Sequence, residues 1–121
     1  MVSSPLSRAH ETAEIVAKEI GYPLEKIRTS DLLVERHFGE LEGKPWSPDL
    51  DLDGISDIET VDSLIERAHL AFKWMESLDG ETVLVVSHGS FGRALRSVLI
   101  EEHPFAGSEK IQNAEIILWQ T

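Results

Sequence analysis

The polar and apolar positions of the chain fall into blocks of different period. Between Ser4 and Gly21, the residues Ala9, Ala13, Val16, Ala17 and Ile20 recur on one side of a helix, with Ser4 as N-cap, Pro5 as first helical residue and Gly21 as the stop. Ile27 to Thr29 reads as a short strand. Leu32 to Gly43 carries glycines and alternating charge without a clean period, the pattern of a structured loop. A second helical stripe runs through Val61, Leu64, Ile65, Ala68, Phe72, Met75 and Leu78 up to Gly80, opened by a capping box of Ser56 and Glu59. Thr82 to Val86 is β-branched and apolar, the composition of a strand buried on both faces. It breaks at Ser87-His88-Gly89, and a third amphipathic pattern follows with Leu95, Val98 and Leu99 on one side. Ala114 to Trp119 reads as a closing strand. Helices alternating with strands predict an α/β fold.

This pattern singles out three residues. A strand that breaks at a small-residue turn and re-enters a helix presents the turn at the carboxyl edge of the sheet, where open α/β sheets hold ligands. His88 stands at that turn, where its imidazole and the free N–H groups of the next helix can meet an anion. A plain turn residue bonded to backbone is the other reading. Arg8 falls in the first turn of the first helix, an arrangement suited to phosphate, although a solitary arginine there also reads as a solvated surface group. Glu35 follows Leu32-Leu33-Val34, an apolar triplet that docks it against the core. A half-buried carboxyl has its acid form favoured and suits a proton donor; a solvated glutamate is the alternative.

Composition narrows the field. A chain of 121 residues, 41% hydrophobic and 27% charged, is one soluble globular domain. It contains no apolar run of membrane-spanning length, and Met1-Val2-Ser3-Ser4 is unlike a signal peptide. The absence of cysteine excludes disulfides and thiolate metal sites and fits a reducing cytoplasm, the expected location. A net charge of −11 repels nucleic acid and acidic lipid surfaces. A small phosphorylated substrate needs only a local positive pocket. Asp49-Leu50-Asp51-Leu52-Asp53-Gly54 matches the opening of an EF-hand loop, but Thr60 holds the terminal position, Glu59 comes one place early, and Pro45 and Pro48 exclude an incoming helix. A solvated acidic loop accounts for it better, and no metal or other cofactor is expected.

Three segments then stand in order: Ser4-Pro5-Leu6-Ser7-Arg8-Ala9, Leu33-Val34-Glu35 through Phe38-Gly39-Glu40-Leu41-Glu42-Gly43, and Val85-Val86-Ser87-His88-Gly89. Together they resemble the histidine phosphatase superfamily, the phosphoglycerate-mutase-like proteins. Ile58-Glu59-Thr60 followed by Arg67 resembles that family's G-E-S…R segment, and Asn113-Ala114 the start of its last strand, so that the resemblance runs from Val2 to Trp119. It implies a three-layer α/β sandwich acting on phosphomonoesters without metal. In that resemblance Arg8 clamps the phosphoryl group, Glu35 gives a proton to the leaving group, and His88 contributes an imidazole to the phosphoryl oxygens. The implied catalytic pair is His88 and Glu35, and the implied phosphate-binding set is Arg8, His88 and Gly89. Phosphoryl transfer needs just such positioning, charge neutralisation and a proton for the departing alkoxide.

The sequence also departs from the family. The opening R-H-G segment, whose histidine attacks phosphorus, has no match; Arg36-His37-Phe38 sits inside the Glu35 loop and lacks a preceding strand. His10 and His69 fall within helices and read as incidental. The resemblance therefore implies a single domain over residues 1–121, truncated at the amino terminus, with the first strand and helix missing. Phosphatase activity is expected to be weak or lost. The alternatives are a non-catalytic phosphate-binding module and, behind it, an acidic calcium-binding domain. Without the missing strand, the apolar edge at Val83 to Val86 loses its cover, which implies a homodimer or strand sharing through that edge, or a fragment.

Overall fold

The structure, a computed structural model, describes residues 1–42, 57–100, 104–105 and 110–119. Strand β1 (Val2–Ser3) lies between β2 (Arg28–Thr29) and β3 (Val85–Val86), parallel to both, with Val2 opposite Arg28 and Val85. Parallel neighbours need a crossover, and helices supply it here. Helix α1 (Ser7–Ile20) connects β1 to β2; α2 (Val61–Glu76) precedes β3, and α3 (Gly89–Leu99) follows it.

The helices cover both faces of the sheet. Helix α1 packs on β1 and β3 and buries only alanines, Ala9, Ala13 and Ala17, whose small side chains let it lie close. Ile20, expected on the same face, is at the helix end and 62% exposed. Helices α2 and α3 pack against each other, and Leu64, Ala68, Ala71 and Met75 meet Phe91, Ala94, Leu95, Leu33 and Val2 in one core. Adjacent strand residues face opposite sides. Val2 thus serves the α2–α3 core, while the alanines of α1 lie outside that cluster. The result is the expected three-layer α/β arrangement.

Several local expectations are corrected. Helix α1 begins at Ser7 with Leu6 as N-cap, not at Ser4 and Pro5. The cause is the sheet: the Ser4 amide still donates to the Val86 carbonyl at 2.9 Å, so the chain does not turn into a helix until Ser7, three residues later. Helix α2 is capped by Thr60, whose hydroxyl accepts from the Ser63 amide at 3.1 Å, because Glu59 is drawn away to Arg67; Ser56 lies outside the described residues. The strand expected over Thr82 to Val86 shrinks to Val85–Val86. Ala114 to Trp119 forms no strand among the described residues, since no strand runs alongside to share its hydrogen bonds, and Ile116 and Leu118 are 91% and 83% exposed. Gly21 ends α1 in the left-handed region at φ 75°, as its position predicted. The acidic run Asp49 to Asp53 and His103 lie outside the described residues. Among the described residues, no helix is long and apolar enough to cross a membrane.

Candidate functional site

Because β1 and β3 run parallel, their carboxyl ends emerge on the same edge, carrying Ser4 and His88. His88 Nε2 lies 2.8 Å from the Ser4 hydroxyl, which also accepts from the Leu6 amide at 3.2 Å. Ser4 is fully buried and His88 half-buried. Burial holds the imidazole below its ordinary value of 6.5; the Arg8 and Arg67 charges push the same way, and Glu35 opposes them. His88 is therefore the neutral, hydrogen-bonding form at neutral pH. It is the N-cap residue of α3, and through Ser4 it touches Leu6, the N-cap residue of α1.

The two helix starts differ in what meets them. On α3, Glu35 Oε1 accepts from the Phe91 amide at 2.9 Å and Oε2 from the Ser90 amide at 3.2 Å, while Oε1 also takes the Arg36 amide at 2.9 Å. The amides expected to be free beside His88 are thus already bonded to a carboxylate from a distant loop. On α1, the first turn contains no acidic residue, Leu6 gives no side-chain cap, and Arg8 stands there with its side chain exposed. Among the described residues, the Arg8 guanidinium makes no hydrogen bond or ion pair, and its charge reaches His88.

The loop carrying Glu35 is held from α2. Arg67 donates from Nη1 to the Leu32 and Val34 carbonyls at 2.9 and 2.7 Å and from Nη2 to the Glu35 carbonyl at 3.4 Å. Its Nε and Nη2 also donate to both oxygens of Glu59 at 3.0 and 2.9 Å, and the guanidinium lies 4.9 Å from the centre of the Phe91 ring. Burial pushes the Glu59 carboxyl up, but the hydrogen bond from Arg67, the His37 amide and the charges of both residues outweigh it and hold the group below its usual range. Ser87 ties in the other end, donating to the Leu33 carbonyl at 2.6 Å.

Gly89, first residue of α3, lines a cleft of about 380 Å³ with Glu35, Ser90, Arg93, Lys110 and Asn113. A Cβ on Gly89 would sit 3.6 Å from the Ile111 carbonyl, so the 110–113 segment walls the cleft directly over the start of α3. The structure thus brings Arg8, Glu35, His88 and Gly89 to one edge. His10 pairs with Glu14 at 2.9 Å on α1, and His69 is exposed on α2, so neither enters the site. Two contributors had no role in the reading of the residues themselves. Ser4 was assigned as a cap, and Arg67 was marked only by the resemblance. The available signal for Arg67 was a charge bordering the buried stripe of Leu64, Ala68 and Ala71, a position where arginine is kept only when paired. Among the described residues, no group of three or more His, Cys, Asp or Glu is placed to hold a metal.

Residues 1–120 match the family model of the histidine phosphatase superfamily, branch 1. The chain belongs to that superfamily. Similar proteins include a probable phosphatase of Schizosaccharomyces pombe, 35% identical over 74% of this chain and 35% of its own length. A phosphoglycerate mutase-like protein of Arabidopsis thaliana is 33% identical over 94% of this chain and 55% of its own length. The phosphatase PhoE of Bacillus subtilis, itself uncharacterized, is 32% identical over 94% and 60%. This histidine phosphatase chain therefore spans between about a third and three-fifths of the length of these relatives. A solved structure of an open reading frame from Mycobacterium tuberculosis superposes with a TM-score of 0.61 at 27% identity, covering 87% of this chain and 55% of that one.

Proposed function

We propose that this chain binds the phosphoryl group of a small phosphomonoester between Arg8 and His88, with the Gly89 amide at the same edge and Glu35 placed to pass a proton to the departing oxygen. One observation carries the reading: among the described residues Arg8 is an unengaged cation, at a helix start with no side-chain cap, and its charge reaches His88. A cation at the positive end of a helix is unfavourable by itself and becomes favourable when an anion joins it. Membership of the superfamily supports phosphate chemistry in general. Turnover by these 121 residues alone is proposed to be weak or absent, because they contain no R-H-G tripeptide and, among the described residues, His88 is the sole imidazole of the site.

Calorimetry with vanadate and inorganic phosphate tests the binding. Binding by the unaltered chain and a loss of about 10- to 100-fold in Arg8→Ala are expected, the scale of one or two charge-assisted hydrogen bonds. Equal affinity in both proteins overturns the assignment of Arg8. Robust hydrolysis of p-nitrophenyl phosphate, abolished by His88→Ala, would overturn the expectation of weak turnover.

Assembly is part of the same proposal. In β3, Leu84 and Val86 face β1, so the backbone of Val85 faces outward, where no described residue pairs with it. That open edge, with Leu84 exposed beside it, suits a homodimer. Light scattering that shows a compact monomer would refute it.

A further inference from the structure

We infer that Arg67 is the positioning residue of the site: by gathering three carbonyls of the Leu32–Glu35 loop around one guanidinium, it delivers the Glu35 carboxylate to the Ser90 and Phe91 amides. The inference rests on the proposed role of Glu35 as proton donor.

The donor inventory supports it. An arginine side chain has five N–H donors in a fixed planar fork. Arg67 makes five hydrogen bonds: two to Glu59 and one each to the carbonyls of Leu32, Val34 and Glu35. Three carbonyls from four consecutive residues do not converge on one point in a strand or a helix, where they pair with backbone. Here the loop between Leu32 and Glu35 is shaped around an external group. Glu59 holds the fork from behind in bidentate fashion, which fixes its plane as well as its position. The Phe91 ring lies against the guanidinium, and the Phe91 amide is one of the two that Glu35 caps. Arg67 therefore touches both partners of the contact it creates, the loop that supplies the carboxylate and the helix that receives it.

Lysine could not substitute. Its ammonium is a compact centre with three donors and cannot span Glu59 and three separated carbonyls at once. Charge alone is not what the site uses; the shape of the fork is. A structural ion pair that only welded α2 to the core would predict a different outcome, because its loss would weaken all of α3 together.

The test follows the Ser90 and Phe91 amides by NMR, through hydrogen exchange and pH titration, in the unaltered chain, in Arg67→Lys and in the double variant Glu59→Gln with Arg67→Gln. The double variant leaves no buried charge uncompensated and keeps the test decisive if Arg67→Lys fails to fold. In the unaltered chain both amides are expected to be protected and to change their chemical shift with pH. In either variant their protection is expected to fall by about tenfold or more and their pH response to vanish, while Ala94 and Leu95 in the same helix keep theirs. Retained protection and pH response at Ser90 and Phe91 overturn the inference. So does an equal loss along the whole of α3, the signature of a structural pair. Phosphate affinity in the same proteins separates this inference from the function proposed above. An unaltered chain that binds no phosphate at all sinks the proposed function and leaves the amide result to decide the role of Arg67.

Discussion

Helices α1 and α3 start alike and are finished in opposite ways. Neither has an acidic residue in its first turn, and neither N-cap residue, Leu6 or His88, bonds back with its side chain. Each leaves backbone amides with partial positive charge and no partner in the helix. On α3 a carboxylate from residue 35 takes two of them. On α1 the amides of Ser7 and Arg8 donate to nothing among the described residues, and the one charged side chain of the first turn is a cation. His88 sits at the joint, N-cap of one helix and bonded through Ser4 to the cap of the other. The α3 start is met by a carboxylate from within the protein, and among the described residues the α1 start is met by none. The phosphate site proposed above rests on that difference rather than on either start alone.

The comparison breaks most visibly if the filled site is emptied. Glu35→Ala removes the partner of three backbone amides in a half-buried place, and the unfolding free energy is expected to drop by about 1–3 kcal/mol, as for other lost charged caps. Urea denaturation measures it. A change below about 0.5 kcal/mol would mean that solvent caps α3 as well as Glu35 does, and the contrast between the helices would be lost.

How much of this the sequence held depends on the range of the interaction. Ala9, Ala13 and Ala17, and the stripe from Leu64 to Met75, were legible because the period of one helix contains them. Arg8 and His88 were legible as candidates because a helix start and a strand end are local. That Glu35 caps α3 was not, since 55 residues separate it from Ser90 and no local rule spans that distance. Ser4 failed for a related reason: its local pattern is that of an N-cap, but the bond to β3 outweighs the local preference. Glu59 was assigned to a capping box and went instead to Arg67, because a buried guanidinium gains more from a carboxylate than an exposed amide does. The segment Ala114 to Trp119 has strand composition but forms no ladder among the described residues, and composition alone cannot supply one.

A smaller effect comes from His88, which shares both helix starts. Its folded pKa is held below the unfolded value of 6.5 chiefly by burial. Between the two values the unfolded chain binds more protons than the folded one, so stability rises with pH through that window and is lost as the solution is acidified below about 6.5. Glu59 acts lower down: its folded pKa is depressed, so its contribution is present above its ordinary 4.5 and fades as pH falls through the folded value. Unfolding measured from pH 8 to 4 should therefore show a loss beginning near 6.5 that His88→Gln removes. A histidine proton resonance titrating above 6.5 would show that Glu35 outweighs burial, and would place the imidazole among the cations of the site.

The smallest effect carries the sharpest test. Placing an acid where Arg8 stands should repair the α1 start in the way Glu35 repairs that of α3. A carboxylate in the first turn interacts favourably with the helix amides, and Arg8→Glu is expected to stabilise the fold by about 0.3–1 kcal/mol. The same substitution puts a negative charge where the phosphoryl group is proposed to bind, so phosphate affinity should disappear. It also replaces a cation that lowers the His88 pKa with an anion that raises it. Gain of stability together with loss of binding is the signature of a residue kept for function at a structural cost. If Arg8→Glu instead destabilised the protein, Arg8 would be part of the scaffold, and the open helix start would be no more than a solvated end.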